Sequence, residues 1–219
     1  MDMAGPHSSQ STSNTPIVDR AGVLDRISTL SSVVIELGCG KSKRDPDALG
    51  VDVRDLPGVD LIGDVFDVLA AFPTSSVDKV LSFHFFEHVD DLGRLLSAIA
   101  RVLKGNGQLE VVVPHFSNPY FYSDYTHRRA FGLYTFCYLA KSKLFARQVP
   151  LYEANVYYEL LSVELRFKSS RPFLVRYALK RVLGAIIGSS TYFKEFWEEN
   201  LCYLLPCYEI EYSLVRLPS

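Results

Sequence analysis

The stretch Val33-Val34-Ile35-Glu36-Leu37-Gly38-Cys39-Gly40 decides how the rest of the chain is interpreted. Its apolar run predicts a buried strand, and the two glycines that follow predict a turn with an accessible backbone. Glycine has no Cβ, so main-chain N–H groups at such a turn can approach a bound ligand closely. The stretch therefore predicts a strand and turn that hold a nucleotide-type cofactor.

Two familiar cofactor motifs do not fit this turn. A dinucleotide fingerprint would have a third glycine where Lys43 stands, which argues against NAD and FAD. A phosphate-binding P-loop needs a longer glycine spacing followed by Lys-Ser or Lys-Thr, and residues 38–42 do not provide it. Glu36 instead favours a cationic cofactor without phosphate. S-adenosylmethionine, with its ammonium and sulfonium groups, is such a cofactor.

Five segments, in order, resemble the motifs of the class I S-adenosylmethionine-dependent methyltransferases, in a subgroup similar to methyltransferase type 11. They are Glu36-Leu37-Gly38-Cys39-Gly40, Gly50-Val51-Asp52, Val59 to Asp64, Ser76 to Ser82 and Arg101 to Pro114. The resemblance implies that the chain is an enzyme with S-adenosylmethionine as its cofactor.

The resemblance also implies which residues contact this cofactor. Glu36, Gly38 and Gly40 would form the turn around it. Asp52 would hold the ribose hydroxyls, and Asp64 would lie near the adenine. The remaining implied contacts are Val65, Ser82 and His84.

The pattern of strands and helices predicts a Rossmann-like α/β fold with a doubly wound, mostly parallel, seven-stranded sheet. Only eleven residues separate Gly40 from Asp52, too few for the usual crossover helix, so we expect a loop or a single helical turn there. A helix is predicted from Asp90 or Asp91 to Lys104-Gly105. The last strand, 208–217, would be antiparallel and preceded by a helical insertion at about 169–206.

Composition predicts one domain, residues 21–219, after a disordered tail at 1–20 that is rich in serine and threonine. The chain has 219 residues, of which 48% are hydrophobic, and a net charge of −2. This charge balance makes nucleic acid an unexpected partner.

Four cysteines without a CxxC pair predict a reducing, cytoplasmic location. Residues 18–30 predict a short helix, and the oligomeric state stays open.

Four of the five histidines fall near the predicted carboxyl ends of strands four and five. Methyl transfer from a sulfonium needs alignment and, for a hydroxyl acceptor, a base. His127 is the first candidate for the base, because Asp124 lies three residues earlier and could fix its tautomer and raise its basicity. His115 is the second candidate.

The stretch His84-Phe85-Phe86-Glu87-His88 raises the question of a metal. Ligands at i, i+3 and i+4 would lie on one side of a helical turn, and His115 could approach from strand five. The stretch partly resembles the divalent-metal motif of small-RNA 2′-O-methyltransferases and ubiquinone-pathway O-methyltransferases, which carry glutamate at the position of His84. Relatives without metal also show Glu-His here, so we predict no metal and leave the question open.

The aromatic segment after Pro114 predicts either a wall of the acceptor site or a small core of its own. Residues 114–131 are similar to a tract in methyltransferases of bacterial surface-glycan and secondary-metabolite clusters. We therefore predict an O-directed methyltransferase of a small-molecule or glycan-type acceptor, with N-methylation left open. A catalytically silent module with the same fold is an alternative.

A second alternative is a membrane-surface methyltransferase of a lipid-linked sugar. Residues 172–187 predict a basic amphipathic helix, and such helices can lie on anionic membranes. Its predicted basic face holds Arg176, Lys180 and Arg181, and its predicted apolar face holds Leu174, Leu179, Leu183, Ile186 and Ile187.

Overall fold

A computed structural model describes residues 16–20, 22–152, 156–169 and 173–218. The strands are β1 (Val18–Asp19), β2 (Val34–Leu37), β3 (Leu49–Asp52), β4 (Leu61–Ile62), β5 (Val77–Phe83), β6 (Leu103–Pro114), β7 (Tyr158–Arg166) and β8 (Glu209–Arg216). The α-helices are α1 (Val65–Ala71), α2 (Leu92–Val102), α3 (Leu174–Gly188) and α4 (Thr191–Asn200). Single 3₁₀ turns occur at Ile27–Thr29, Phe86–His88, Phe121–Ser123 and Thr135–Tyr138.

The strands form one sheet in the order β1-β4-β3-β2-β5-β6-β8-β7. Strands β2 to β6 pair in parallel, and β8 is antiparallel to both of its neighbours, β6 and β7. This arrangement confirms the predicted mostly parallel α/β fold with an antiparallel last strand. Because the parallel strands are in register, the carboxyl ends of β2, β3, β4 and β5 meet at one edge.

The described strands number eight rather than seven, because β1 adds an antiparallel edge strand next to β4. It lies where a helix was predicted over residues 18–30, so that prediction is wrong except for the short turn at Ile27–Thr29. A bond from Arg20 N to Asp60 O, at 2.9 Å, extends the pairing. Residues 1–15 of the predicted disordered tail lie outside the described residues.

Helix α2 confirms the predicted helix but ends earlier than predicted. Its N-cap is Asp91, whose Oδ1 accepts from the Arg94 N–H at 2.9 Å. The helix ends at Val102 rather than at Lys104-Gly105, and β6 follows at once. Lys104 is the second residue of β6, and its ammonium donates to the Asp78 carboxylate of β5 at 2.7 and 2.8 Å. This ion pair favours the strand over a longer helix.

The helical insertion consists of α3 and α4, and the predicted faces of α3 are only partly right. Ile187 is buried and Arg176 and Arg181 are exposed as predicted, but other positions differ. Lys180 is buried and its Nζ donates to Pro206 O at 2.7 Å, whereas Leu174, Leu179 and Ile186 are exposed. The ammonium can be buried because carbonyl oxygens accept its hydrogen bonds and the aliphatic stem packs against the domain. The predicted first residue, Pro172, lies outside the described residues.

None of the helices in the described part of the chain has the length and apolar character needed to cross a bilayer.

Candidate active site

The turn after β2 confirms that no crossover helix joins the first two parallel strands. Gly38 and Gly40 have φ angles of 67° and 61°, in the left-handed region that favours glycine. The N–H groups of Gly38 and Cys39 both donate to Val51 O, at 2.8 and 3.2 Å, which fixes the turn against β3. A Cβ on Gly38 would lie 2.7 Å from the Phe85 side chain, so only glycine fits there.

Asp52 ends β3 and connects the turn to the neighbouring strand. Its side chain is 8% exposed, and its Oδ2 accepts from Gly40 N at 3.0 Å. Its Oδ1 accepts from Arg54 N at 2.9 Å. The carboxylate is thus held in one orientation by backbone donors, with lone pairs left for a ligand.

A cavity of about 340 Å³ lies at the carboxyl edge of the parallel strands. It is lined by Gly38, Val51, Asp52, Val53, Arg54, Gly63, Asp64, Val65, His84, Phe85 and His88. Five of the eight predicted cofactor contacts line it, namely Gly38, Asp52, Asp64, Val65 and His84. Asp64 also caps α1, because its Oδ1 accepts from Phe66 N at 2.8 Å. Open α/β sheets bind ligands at this edge, so the cavity is the natural place for the cofactor.

The other three predicted contacts lie outside this lining. Gly40 supplies the bond to Asp52, and the Ser82 hydroxyl is buried without a hydrogen-bond partner among the described residues. Glu36 is 1% exposed and accepts from Arg44 N at 2.9 Å and Asp45 N at 3.2 Å. Burial raises the pKa of Glu36, although these backbone donors oppose the shift. The carboxylate therefore organises the loop that replaces the crossover helix.

His84 lines the cavity as a cation. Its Nε2 lies 3.0 Å from Glu209 Oε1, and its φ is 55°. Glu209 and then Glu87 raise the pKa of His84 to about 9. Burial alone would raise the pKa of Glu209, but hydrogen bonds from His84 and Lys168 hold it at about 2. A protonated imidazole has no lone pair, so His84 is not suited to act as a base.

His127 lies close to His88, with 4.9 Å between the ring centroids. Its Nδ1 lies 2.8 Å from Phe121 O, and a carbonyl oxygen can only accept, so Nδ1 carries the proton. In the neutral ring the lone pair is then on Nε2. Asp124 Oδ2 lies 3.7 Å from this Nε2, beyond a hydrogen bond. The Phe121 carbonyl thus sets the tautomer, a role that the sequence analysis assigned to Asp124.

His115 is fully buried and does not line this cavity. Its Nδ1 accepts from Ser117 N at 3.0 Å, and its Nε2 lies 3.0 Å from Glu198 Oε2. The ring also packs against Trp197. Because both nitrogens are occupied by protein groups, His115 has no free nitrogen for an acceptor or for a metal.

The four residues considered as metal ligands are therefore not brought together as a set. Glu87 and His88 instead lie beside His127, and one potential ligand atom from each lies within 4.8 Å of the others. The Glu87 carbonyl accepts from Arg128 N at 2.7 Å and Arg129 N at 3.2 Å, which brings the segment of His127 to this place. This contact spans about forty residues of chain, so spacing alone gave no signal of it.

A family model described as a methyltransferase domain matches residues 43–111. No curated protein matches the chain. The fold is similar to that of an S-adenosylmethionine-dependent methyltransferase from Archaeoglobus fulgidus, at 19% identity and a TM-score of 0.53, over 90% of this chain and 94% of that one. The YcgJ protein of Bacillus subtilis is 16% identical, with a TM-score of 0.50, over 90% and 98% of the two chains. Geranyl diphosphate C-methyltransferase from Streptomyces coelicolor is 13% identical, with a TM-score of 0.51, over 85% and 71%.

The structural similarities identify the fold, and the family model identifies the class within residues 43–111, which carry three of the five motifs in full and most of a fourth. Together they confirm the predicted class I S-adenosylmethionine-dependent methyltransferase, an enzyme that uses S-adenosylmethionine as its cofactor.

Proposed function

We propose that this methyltransferase acts on a hydroxyl oxygen of a small-molecule or glycan-type acceptor. The observation that carries the proposal is the bond from His127 Nδ1 to Phe121 O, which in the neutral ring places the lone pair on Nε2, next to His88 of the cavity lining. A neutral imidazole is the side chain best suited to remove a proton near neutral pH. An acceptor hydroxyl within reach of Nε2 would lie next to the cofactor.

The residues of the cavity fit S-adenosylmethionine. Asp52 would accept hydrogen bonds from the ribose hydroxyls, and Asp64 and Val65 would border the adenine. When bound, the cofactor supplies a methyl group already activated by its sulfonium. The chain therefore needs to align the acceptor, exclude water and receive one proton at His127.

A second cavity, of about 750 Å³, is bordered by residues of the segment 128–139, which directly follows His127, and offers space for the acceptor. It is lined by both polar and aromatic side chains, among them Arg128, Tyr134, Tyr138 and Glu198. Aromatic faces next to hydrogen-bonding groups suit a sugar or another polyhydroxylated ring. This composition supports a glycan-type acceptor over a purely apolar one.

A methyl-transfer assay on pools of hydroxylated acceptors tests the proposal. We expect His127→Ala to lower turnover by about 10²- to 10⁴-fold while affinity for S-adenosylhomocysteine persists. Glu199→Gln, a change in an exposed acid of α4 outside this segment, is the control and should keep turnover. Full activity of His127→Ala would remove this residue as the base.

The exposed face of α3 favours a second candidate, in which the enzyme works at an anionic membrane surface on a lipid-linked sugar. Leu174, Val175 and Val182 are 69, 85 and 61% exposed, and the basic side chains of Arg176 and Arg181 are also exposed. Apolar side chains flanked by cations are typical of interfacial helices.

Sedimentation with vesicles tests this candidate. The enzyme should pellet with phosphatidylglycerol vesicles and remain in the supernatant with phosphatidylcholine vesicles, since the cations add an electrostatic attraction. Val175→Glu/Val182→Glu should abolish pelleting, whereas Thr29→Ala should not. Equal behaviour of the double variant and the parent enzyme would contradict membrane contact through α3.

We further propose that residues 21–219 act as one methyltransferase domain in the cytoplasm. The four cysteines are all free and buried, which supports a reducing compartment.

A further inference from the structure

Glu87 is a buried carboxylate without a hydrogen-bonded partner. Its side chain is 1% exposed, and neither oxygen accepts a hydrogen bond from the described residues. His84 Nδ1 approaches Oε1 to 3.4 Å but misses hydrogen-bond geometry, and the other nitrogen of that ring is bonded to Glu209. Buried carboxylates are normally paired, hydrogen-bonded or bound to metal. Oε1 therefore faces the His84 cation, whereas Oε2 has no partner among the described residues and can take a further ligand.

Two imidazoles stand beside this carboxylate. One potential ligand atom from each of Glu87, His88 and His127 lies within 4.8 Å of the other two. The arrangement is held by backbone as well as by side chains, because the Glu87 carbonyl accepts from Arg128 N and Arg129 N. The three side chains come from segments that the fold fixes against each other.

Both imidazoles have the protonation pattern of metal ligands. Thr126 Oγ1 donates to Asp124 Oδ1 at 2.6 Å, so it can only accept from His88 Nδ1 at 3.0 Å. His127 Nδ1 likewise donates to Phe121 O. Nε2 is therefore the nitrogen with a free lone pair in each neutral ring. Metal-binding histidines commonly have their second nitrogen fixed by a carbonyl or carboxylate in this way.

We propose that Glu87, His88 and His127 bind a divalent transition-metal ion next to the cofactor cavity. Two imidazoles and one carboxylate suit zinc, manganese, iron or cobalt better than magnesium or calcium, which prefer oxygen ligands. Three protein ligands leave positions open for an acceptor. His88 belongs to both the cavity lining and the cluster, so an acceptor on the ion would lie beside the cofactor.

This inference rests on the proposed function and changes the part that His127 plays in it. An acceptor hydroxyl bound to the ion loses its proton more readily, because the cation stabilises the alkoxide. The proton passes to solvent water, and the oxygen forms a bond to the methyl carbon as the carbon–sulfur bond breaks. The sulfur keeps the electron pair and leaves as a neutral thioether. His127 then acts as a ligand, and the ion replaces it in activating the hydroxyl.

Cobalt(II) is a suitable probe, because its visible absorption reports coordination directly. Chelator-treated enzyme should take up one Co²⁺ per chain with a new visible band, and calorimetry with Zn²⁺ and Mn²⁺ should show the same single site. Glu87→Gln, His88→Ala and His127→Ala should each weaken binding by more than about tenfold, and Thr126→Val, which removes the hydroxyl that bonds to His88 and Asp124 but no proposed ligand, by about tenfold. Glu199→Gln, an exposed acid on α4, is the control and should leave binding unchanged.

Absence of a single Co²⁺ site in the parent enzyme, or equal uptake by parent and ligand variants, would overturn the inference. If Glu87→Gln does not fold, His88→Ala and Thr126→Val decide the result, with circular dichroism as the check on folding. Loss of turnover in His127→Ala without any metal site would leave the base of the proposed function standing and reject the metal. Failure of the parent enzyme to transfer methyl groups, with Co²⁺ bound as described, would reject the proposed function alone.

Discussion

Gly38 shows how one missing side chain shapes the site. Its φ of 67° and its contact with Phe85 both follow from the close approach of the turn to the segment after β5. The motif alone predicted a glycine at position 38. It did not predict Phe85 as the reason, because that contact joins residues 47 positions apart.

We expect Gly38→Ala to destabilise the fold by about 1–3 kcal/mol, through backbone strain and overlap with Phe85. Gly105→Ala is the matched control, because a Cβ there meets nothing within 4 Å, and it should change stability by less than about 1 kcal/mol. Urea unfolding of the two variants measures the difference. Equal stability of both variants would show that residue 38 does not need glycine.

Among the elements, charged side chains connect β8 to the ends of β5 and β7. Glu209 of β8 contacts His84, which follows β5, and Lys168, which follows β7. Helix α2 was predictable because its apolar spacing and cap are local features. The faces of α3 were predictable only in part, because the partner of Lys180 is the Pro206 carbonyl at the other end of the insertion.

Lys180 provides a direct test of the orientation of α3. Lys180→Ala should lower the free energy of unfolding by about 1–3 kcal/mol, because it leaves the Pro206 carbonyl without its donor and removes packed methylenes. Arg181→Ala, on the neighbouring exposed position, should have an effect below about 0.5 kcal/mol. Chemical unfolding of the two variants compares them, and the reverse order would favour the face predicted from the sequence.

Glu209 should make stability depend on acid pH. Its pKa is lowered from 4.5 to about 2, so its ionised form stabilises the fold above pH 4.5, and this contribution is lost as the pH falls toward 2. Glu209→Gln should therefore be less stable than the parent at pH 7, by about 1–3 kcal/mol, with a gap that narrows below pH 4.5. Urea unfolding from pH 7 to 3 measures this gap.

Glu211→Gln is the control on the same strand. Glu211 pairs with Arg166 at a more exposed position, where ion pairs contribute less than about 1 kcal/mol. A gap of equal size for both variants, or one that is constant with pH, would contradict the role of Glu209.

For the whole molecule, the sheet and much of the cavity lining at its edge could be predicted from the sequence, because β2, β3 and β4 each end at or next to a glycine or an acid. The roles of the histidines could not be assigned in this way. His115 is bonded to Glu198 of the insertion, and the Phe121 carbonyl rather than Asp124 fixes the tautomer of His127. These roles depend on contacts between distant segments, which motif spacing does not encode.

The central claim is that the edge formed by the turn after β2 and by Asp52 binds S-adenosylmethionine. Calorimetric titration with S-adenosylhomocysteine, the product of methyl transfer, tests this claim most directly. We predict one binding site per chain, no measurable binding for Asp52→Ala, and unchanged binding for Asp47→Ala, a change in an exposed acid of the loop between β2 and β3. Absence of binding to the parent enzyme, or equal affinity of Asp52→Ala, would contradict the account.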